Sequence, residues 1–493
     1  MNSSRRIFFI LRVFVATLFV AFQASVSMPA PFSFMHSRAF LVSMPAGSMY
    51  PNHCFSFTIN SIIGGKQSNV VAATTINLTS TGTISFFSDF ACSTAATTAT
   101  IAAGASSVVV YMMATSTGSE TITLTASAFK PQTQSRLVAT NPFIWTGGAG
   151  TNTWATGANW SGGTAPNSTQ IAFFDGNCVT FCSPMITASV GGIRMLSGFT
   201  GTVYQNTAGA TTIGTSGFWQ AAGTFEGSLG GDTLNLSGHF VLSGGTFKAP
   251  SGNLDIGAAI NWRVSGAPTF THNSGTIRNP NHFMGLSITP GSVDYFNVSI
   301  LGRQNTVTNY GTWKIKGTLT IDSPDAASAQ TWNLGTTEVG GDLIIKGQGT
   351  NGTALFKVNG SANQLIDGST ATNARISNLS IESTGGTVSL AGTIMILGDY
   401  KKLSGAMNGG TSTLYLENAW QGRNHTFGGG VTETYNNVTF TASNGSHTLT
   451  GEANISGTLT LNSTNAAFGT LDGGTLNVSG DLEGIGYGMR GST

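Results

Sequence analysis

The chain has 493 residues, a formal net charge of +1 and only 8% charged residues, against roughly 25% in an average soluble domain. No run of Lys or Arg occurs beyond the N-terminus, so the clustered cations that a phosphate backbone requires are lacking and nucleic acid is excluded as a partner. Sixty-six glycines, abundant Ser, Thr and Asn, and recurrent Val, Ile, Thr, Phe and Tyr predict an all-β chain wetted by hydroxyls and amides rather than ions.

Residues 1–27 read as a secretory signal peptide. Arg5 and Arg6 precede an apolar run over residues 7–22, interrupted by Arg12, and Ser25-Val26-Ser27 offers small residues for cleavage. No other stretch reaches the roughly 18 uninterrupted apolar residues of a membrane helix, so no integral membrane domain is expected in the mature chain. An even count of four cysteines in an exported chain favours disulfides, paired Cys54 with Cys92 and Cys178 with Cys182. Cys178-x3-Cys182 lacks a second ligand pair and the seven histidines are scattered, so neither a metal nor a cofactor is expected.

Residues 28–138 are assigned to one β-sandwich. Between about 37 and 128, short runs such as "HCFSFTIN", "TTINLTS", "SSVVVYMM" and "SETITLTAS" alternate partially and are separated by turn residues. Their order resembles the Ig-like modules of bacterial surface proteins of the invasin and large-adhesin type. The resemblance covers about 90 residues and implies a spacer or an adhesive tip. Residues 129–143, with two prolines and little pattern, read as a linker.

Residues 139–189 continue the linker into a tryptophan-rich segment, "WTGGAGTNTWATGANWSGGTAP", holding Trp145, Trp154 and Trp160. Behind it a period appears. Gly201, Gly223 and Gly245 each open "GTV" or "GTF" at intervals of 22. Asn297 precedes Gly317, Asn378 precedes Gly398 and Asn437 precedes Gly457, each by 20. This predicts a right-handed parallel β-helix over residues 190–493, with rungs of about 20–23 residues, about thirteen in all. In "TLNLSGHFVLSGGTF", Leu234, Leu236, Phe240, Leu242 and Phe247 point inward and Asn235 and Ser237 outward. Glycine supplies corners of positive φ, and the recurrent asparagines are expected to stack as an amide ladder rather than to carry glycans.

The "W…W…NW…P" segment is similar to the start of autotransporter-type passenger repeats and related secreted β-helix proteins, where it leads into the first regular rungs. The likeness covers about 35 residues, and with the repeats behind it most of the C-terminal 350. Two roles stand open for Trp145, Trp154 and Trp160: a cap over the bare end of the solenoid, or a platform on which indole faces stack against sugar rings.

The resemblances imply a secreted or bacterial cell-surface protein, adhesive or structural, that binds a cell-surface glycan or protein, or other copies of itself, through repeated polar rows. A polysaccharide lyase or hydrolase on the same fold is the enzymatic alternative, and an end-to-end filament or matrix subunit is the structural one. Catalysis is not expected: Asp342, Asp399 and Asp481 recur after corner glycines as turn residues, while Asp294, Asp322, Asp325, Asp367 and Arg375 form no local motif. The last residues, "GTLNVSGDLEGIGYGMRGST", stop in what reads as a rung, without the translocator barrel of the autotransporter pattern.

Overall fold

The structure is a computed structural model that describes residues 38–44, 49–206, 209–257, 260–280, 285–302, 306–324, 329–418, 423–427, 433–442, 445–463, 469–487 and 489–490. The expected signal peptide and Asp325 lie outside the described residues. The chain divides into two compact units, Met1–Thr140 and Asn141–Thr493.

The first unit is built from antiparallel pairings. One sheet runs Arg38–Ser43, Phe55–Ile63, Ser107–Ala114, Ile84–Phe87 in spatial order, with Lys66–Gln67 paired to Phe55–Ile63. The other runs Thr98–Ile101, Thr74–Ser80, Gly118–Thr125, Gln132–Val138. Alternation along the strands sends Phe57, Ile59 and Val110 of the first sheet, and Ile76, Leu78, Ile122 and Leu124 of the second, into one buried cluster. A disulfide joins Cys54 to Cys92. The linker expected over 129–143 is corrected: Gln132–Val138 is an edge strand, all seven of its residues pairing in register with residues 118–124 despite their polarity.

The second unit is a parallel β-solenoid of about 12 turns. It begins earlier than the expected residue 190. Ile171–Phe174 already pairs in parallel with Val190–Met195, a turn that lacks the Gly-Thr corner from which the period was read. Most later turns contribute up to three short strands stacked in parallel on those of the neighbouring turns, while Asn378–Ile396 runs through most of a turn as one strand of 19 residues. Asn253–Ile256, for example, receives Leu234–Leu236 on one side and Thr276–Asn279 on the other.

The interior follows from period-two alternation repeated at every turn. Leu234, Leu236, Phe240, Leu242 and Phe247 are all buried, and Ser237 is exposed. Because the turns are in register, like side chains meet like. Phe218, Phe240 and Trp262 stack at centroid separations of 5.5 and 3.9 Å. Phe225, Phe247 and Phe270 stack at 5.1 and 5.5 Å. Each such ring contributes about 1.5–3 kcal/mol by burial alone, but only because a neighbouring turn covers it. Among the described residues no helix is long and apolar enough to cross a membrane.

Candidate functional site

Trp145, Trp154 and Trp160 lie ahead of the first solenoid strands, and each is 2% exposed or less. They interlock edge to face, Trp160 meeting Trp145 at 5.1 Å and Trp154 at 4.8 Å. The Trp160 indole N–H donates to the Trp154 carbonyl at 2.8 Å, and that of Trp145 to the Phe181 carbonyl at 2.9 Å. Phe143, Phe174 and Phe199 belong to the same cluster. A second disulfide, Cys178 to Cys182, closes the loop that carries Phe181. Of the two roles open for these rings, burial favours the cap: their faces are turned into the core and are not presented for stacking on a sugar ring.

The corner residues fall into two groups. Gly223 and Gly245 have φ of 68° and 72°, where an L side chain is strained. Gly201, Gly317, Gly398 and Gly457 are not in that region; a Cβ on any of them would overlap atoms of the turn below. At three corners the obstructing group includes an asparagine amide. Asn297 Oδ1 accepts from the Thr318 N–H at 2.9 Å, Asn378 Oδ1 from Asp399 at 3.0 Å and Asn437 Oδ1 from Thr458 at 2.8 Å. The expected amide ladder is therefore corrected. The three asparagines stand several turns apart, and each bonds the backbone of the next turn instead of another asparagine.

The acidic residues are engaged locally. Asp342 Oδ1 accepts the Leu365 N–H at 2.8 Å and Asp399 Oδ1 the Asn424 N–H at 3.1 Å. The backbone carbonyls of Asp342, Asp399 and Asp481 accept from Leu319, Leu379 and Leu459 of the preceding turn. Asp367 holds the N–H and hydroxyl of Ser369, and Asp294 pairs with Lys316 at 3.4 Å. Asp322 accepts through its carbonyl from Gly302 and Gln330, while Arg375 stands on a different strand, in register with Met395.

The outward residues of one strand column form a charged row. Register places Asp294 beside Lys314, Lys314 beside Glu338, Glu338 beside Lys357, Lys357 beside Ser380 and Ser380 beside Lys401. Lys357 Nζ reaches Glu382 at 2.7 Å and Glu338 at 3.7 Å. The hydrogen bond to Glu382 raises the Lys357 pKa above its ordinary value, ahead of the opposing desolvation. Burial works to raise the Glu382 pKa, yet the hydrogen bonds from Lys357 and Ser380 carry it below the ordinary carboxylate value. Beside this row lies an open groove of about 320 Å³, lined by Lys314, Lys316, Glu338, Asn359, Ser361 and Thr384. Cations, a carboxylate, an amide and hydroxyls converge there from successive turns. Such a set suits a polar, hydroxyl-rich or anionic ligand.

No family model matches the chain, and no curated protein matches it either. Among solved structures the chain is similar to one described as "The structure of a beta-glucuronidase from glycoside hydrolase family 2", at 12% identity and a TM-score of 0.18. That likeness covers 21% of this chain and 12% of the other, so the chain spans a small fraction of that protein's length. The fold described above stands on its own pairings.

The groove was invisible to motif reading because its residues are spread over some 70 positions. The only signal was the fixed interval itself. Residues one period apart, Lys314 and Glu338 for instance, become lateral neighbours once the turns stack. The interior also holds a polar cluster that no motif announced. Lys402 Nζ lies 3.1 Å from Glu433 Oε1, the Tyr435 hydroxyl donates to Glu433 Oε2 at 2.7 Å, and the Tyr400 and Tyr435 hydroxyls are 2.8 Å apart. Burial pushes both tyrosine pKa values well above the ordinary value. Nearby, His425 Nε2 and His447 Nδ1 share a hydrogen bond of 2.8 Å.

Proposed function

We propose that the chain is an exported, adhesin-like or structural protein of the bacterial cell surface or its surroundings, binding through the polar outer faces of a right-handed solenoid. The observation that carries the reading is the groove lined by Lys314, Lys316, Glu338, Asn359, Ser361 and Thr384 beside the charged row from Asp294 to Lys401. Groups repeated at the turn spacing offer many weak contacts that sum through avidity. The ligand class is a cell-surface glycan or an extended protein segment.

The antiparallel unit ahead of the solenoid serves in this reading as an Ig-like spacer or tip. Binding is favoured over hydrolysis because the carboxylates are already engaged: Asp342, Asp399 and Asp367 hold local N–H groups, and Asp294 and Glu338 face lysines. A glycan array and a whole-cell binding assay on the full chain test the reading, with Lys314→Ala/Lys316→Ala as the comparison. Binding that drops at least tenfold in the double variant supports the groove. Equal binding by both moves the adhesive surface elsewhere, and clearing of a polysaccharide gel by the purified chain replaces binding with catalysis.

A further inference from the structure

The column of inward side chains that begins at Tyr295 continues in register through Ile315, Val339, Val358 and Ile381, and its next member is Lys402. Lysine here replaces an aliphatic residue in the middle of the core. Its side chain is 0% exposed, and that of its partner Glu433 is 1%. The pairs Lys248–Glu226, Lys316–Asp294 and Lys357–Glu382 all sit on the outer surface, in partial contact with water. Around Lys402 and Glu433 the walls are aromatic, with Tyr400, Phe427 and Tyr435 packed against one another. Two opposite charges brought into such a place lose hydration that their mutual attraction barely returns.

We propose that Lys402 and Glu433 join covalently, as an internal amide cross-link formed by the folded chain itself. A proton passes from the ammonium to the carboxylate across the 3.1 Å contact, giving the amine that attacks and the acid that is attacked. The amine lone pair attacks the Glu433 carboxyl carbon. The oxygen facing Lys402, Oε1, leaves with two protons as water, and the N–C bond takes its place. Oε2 becomes the amide carbonyl and keeps the Tyr435 hydroxyl that already donates to it at 2.7 Å. That donor stabilises the charge that builds on oxygen during attack. Tyr400, 2.8 Å from the Tyr435 hydroxyl, holds it in place. Nothing is oxidised or reduced and no co-reactant is needed.

The fold gives the bond a purpose. Each turn of a solenoid is held only by its neighbours, so opening spreads from one turn to the next. A link between residues 31 positions apart ties the strand Tyr400–Asn408 to the chain entering Thr434–Tyr435, and it cannot be unzipped. The test is peptide mapping of the full, reduced and denatured chain by mass spectrometry. The expected result is one branched peptide containing Lys402 and Glu433, lighter than its two components by one water and absent from Lys402→Arg and from Glu433→Ala. Recovery of the two segments as separate, full-mass peptides from the wild-type chain overturns the proposal. So does a water loss that persists in either variant, which would place the dehydration at other residues.

Discussion

Asn437 and Gly457 share one corner of the solenoid: the amide oxygen of Asn437 accepts the Thr458 N–H at 2.8 Å and fills the space that a Cβ on Gly457 would need. The same relation joins Asn297 to Gly317 and Asn378 to Gly398. The repeated interval of 20 is thus a steric and hydrogen-bonding unit. Asn437→Ala strands a backbone N–H, at a cost of about 1–3 kcal/mol. Gly457→Ala is expected to cost at least as much, because the Asn436 carbonyl also lies in the way. Urea unfolding of the two single variants and the double variant checks this. The coupling should be non-additive, since one atom serves both effects.

The interlocked indoles make a stability prediction. Trp154→Ala removes a fully buried ring and is expected to cost about 3–5 kcal/mol, lowering the melting temperature of the solenoid. Trp160→Phe keeps most of the packing but loses the bond to the Trp154 carbonyl, and should cost less. Unchanged melting with loss of glycan binding in Trp154→Ala would reinstate the platform role.

Arg194 is a third case. Its guanidinium is buried, lies 4.4 Å from the Trp219 ring, and donates to the carbonyls of Ile193, Gly217 and Ser216 at 2.6–3.0 Å. Burial lowers its pKa to about 9. Lysine cannot reproduce a planar fork aimed at several carbonyls. Arg194→Lys is therefore expected to cost about 2–3 kcal/mol, and Arg194→Met should restore no more than the stacking. Thermal melts of both variants test the point.

The paired histidines set a pH dependence. Burial, then the neighbouring His447 and Arg423, lowers the His425 pKa to about 3; burial, followed by Arg423, lowers that of His447 to about 4 against a bond to the Thr441 carbonyl. Both folded values lie below the ordinary 6.5, so at mildly acid pH the unfolded chain binds more protons than the folded one. Stability is then full above about pH 6.5 and falls as the pH drops towards 4, by about 1.4 kcal/mol per pH unit for each histidine. The double variant His425→Gln/His447→Gln should flatten that part of the profile, measured by urea midpoints between pH 7 and pH 4. An unchanged slope would show that other groups control acid unfolding.

Much of the architecture can be read along the chain because a solenoid repeats its physics. The interval between Gly201, Gly223 and Gly245, and the alternation around Leu234 and Phe247, are local consequences of each turn having to present an apolar edge to the next. Those features, with the four cysteines and the short strands of the first unit, are determined by the sequence itself. The starting turn is not legible in the repeat because Ile171–Phe174 pairs without the corner motif, and Gln132–Val138 does not read as a strand because an edge strand tolerates polar residues. The tertiary structure decided which way side chains point and which of them meet. It turned the three indoles inward, spent the recurrent asparagines on backbone N–H groups, gathered Lys314 and Thr384 into one groove and buried Lys402 against Glu433. The reason is geometric. Stacking makes neighbours of residues one or more turns apart, and a shift of one residue in register would send each of these side chains to the opposite face.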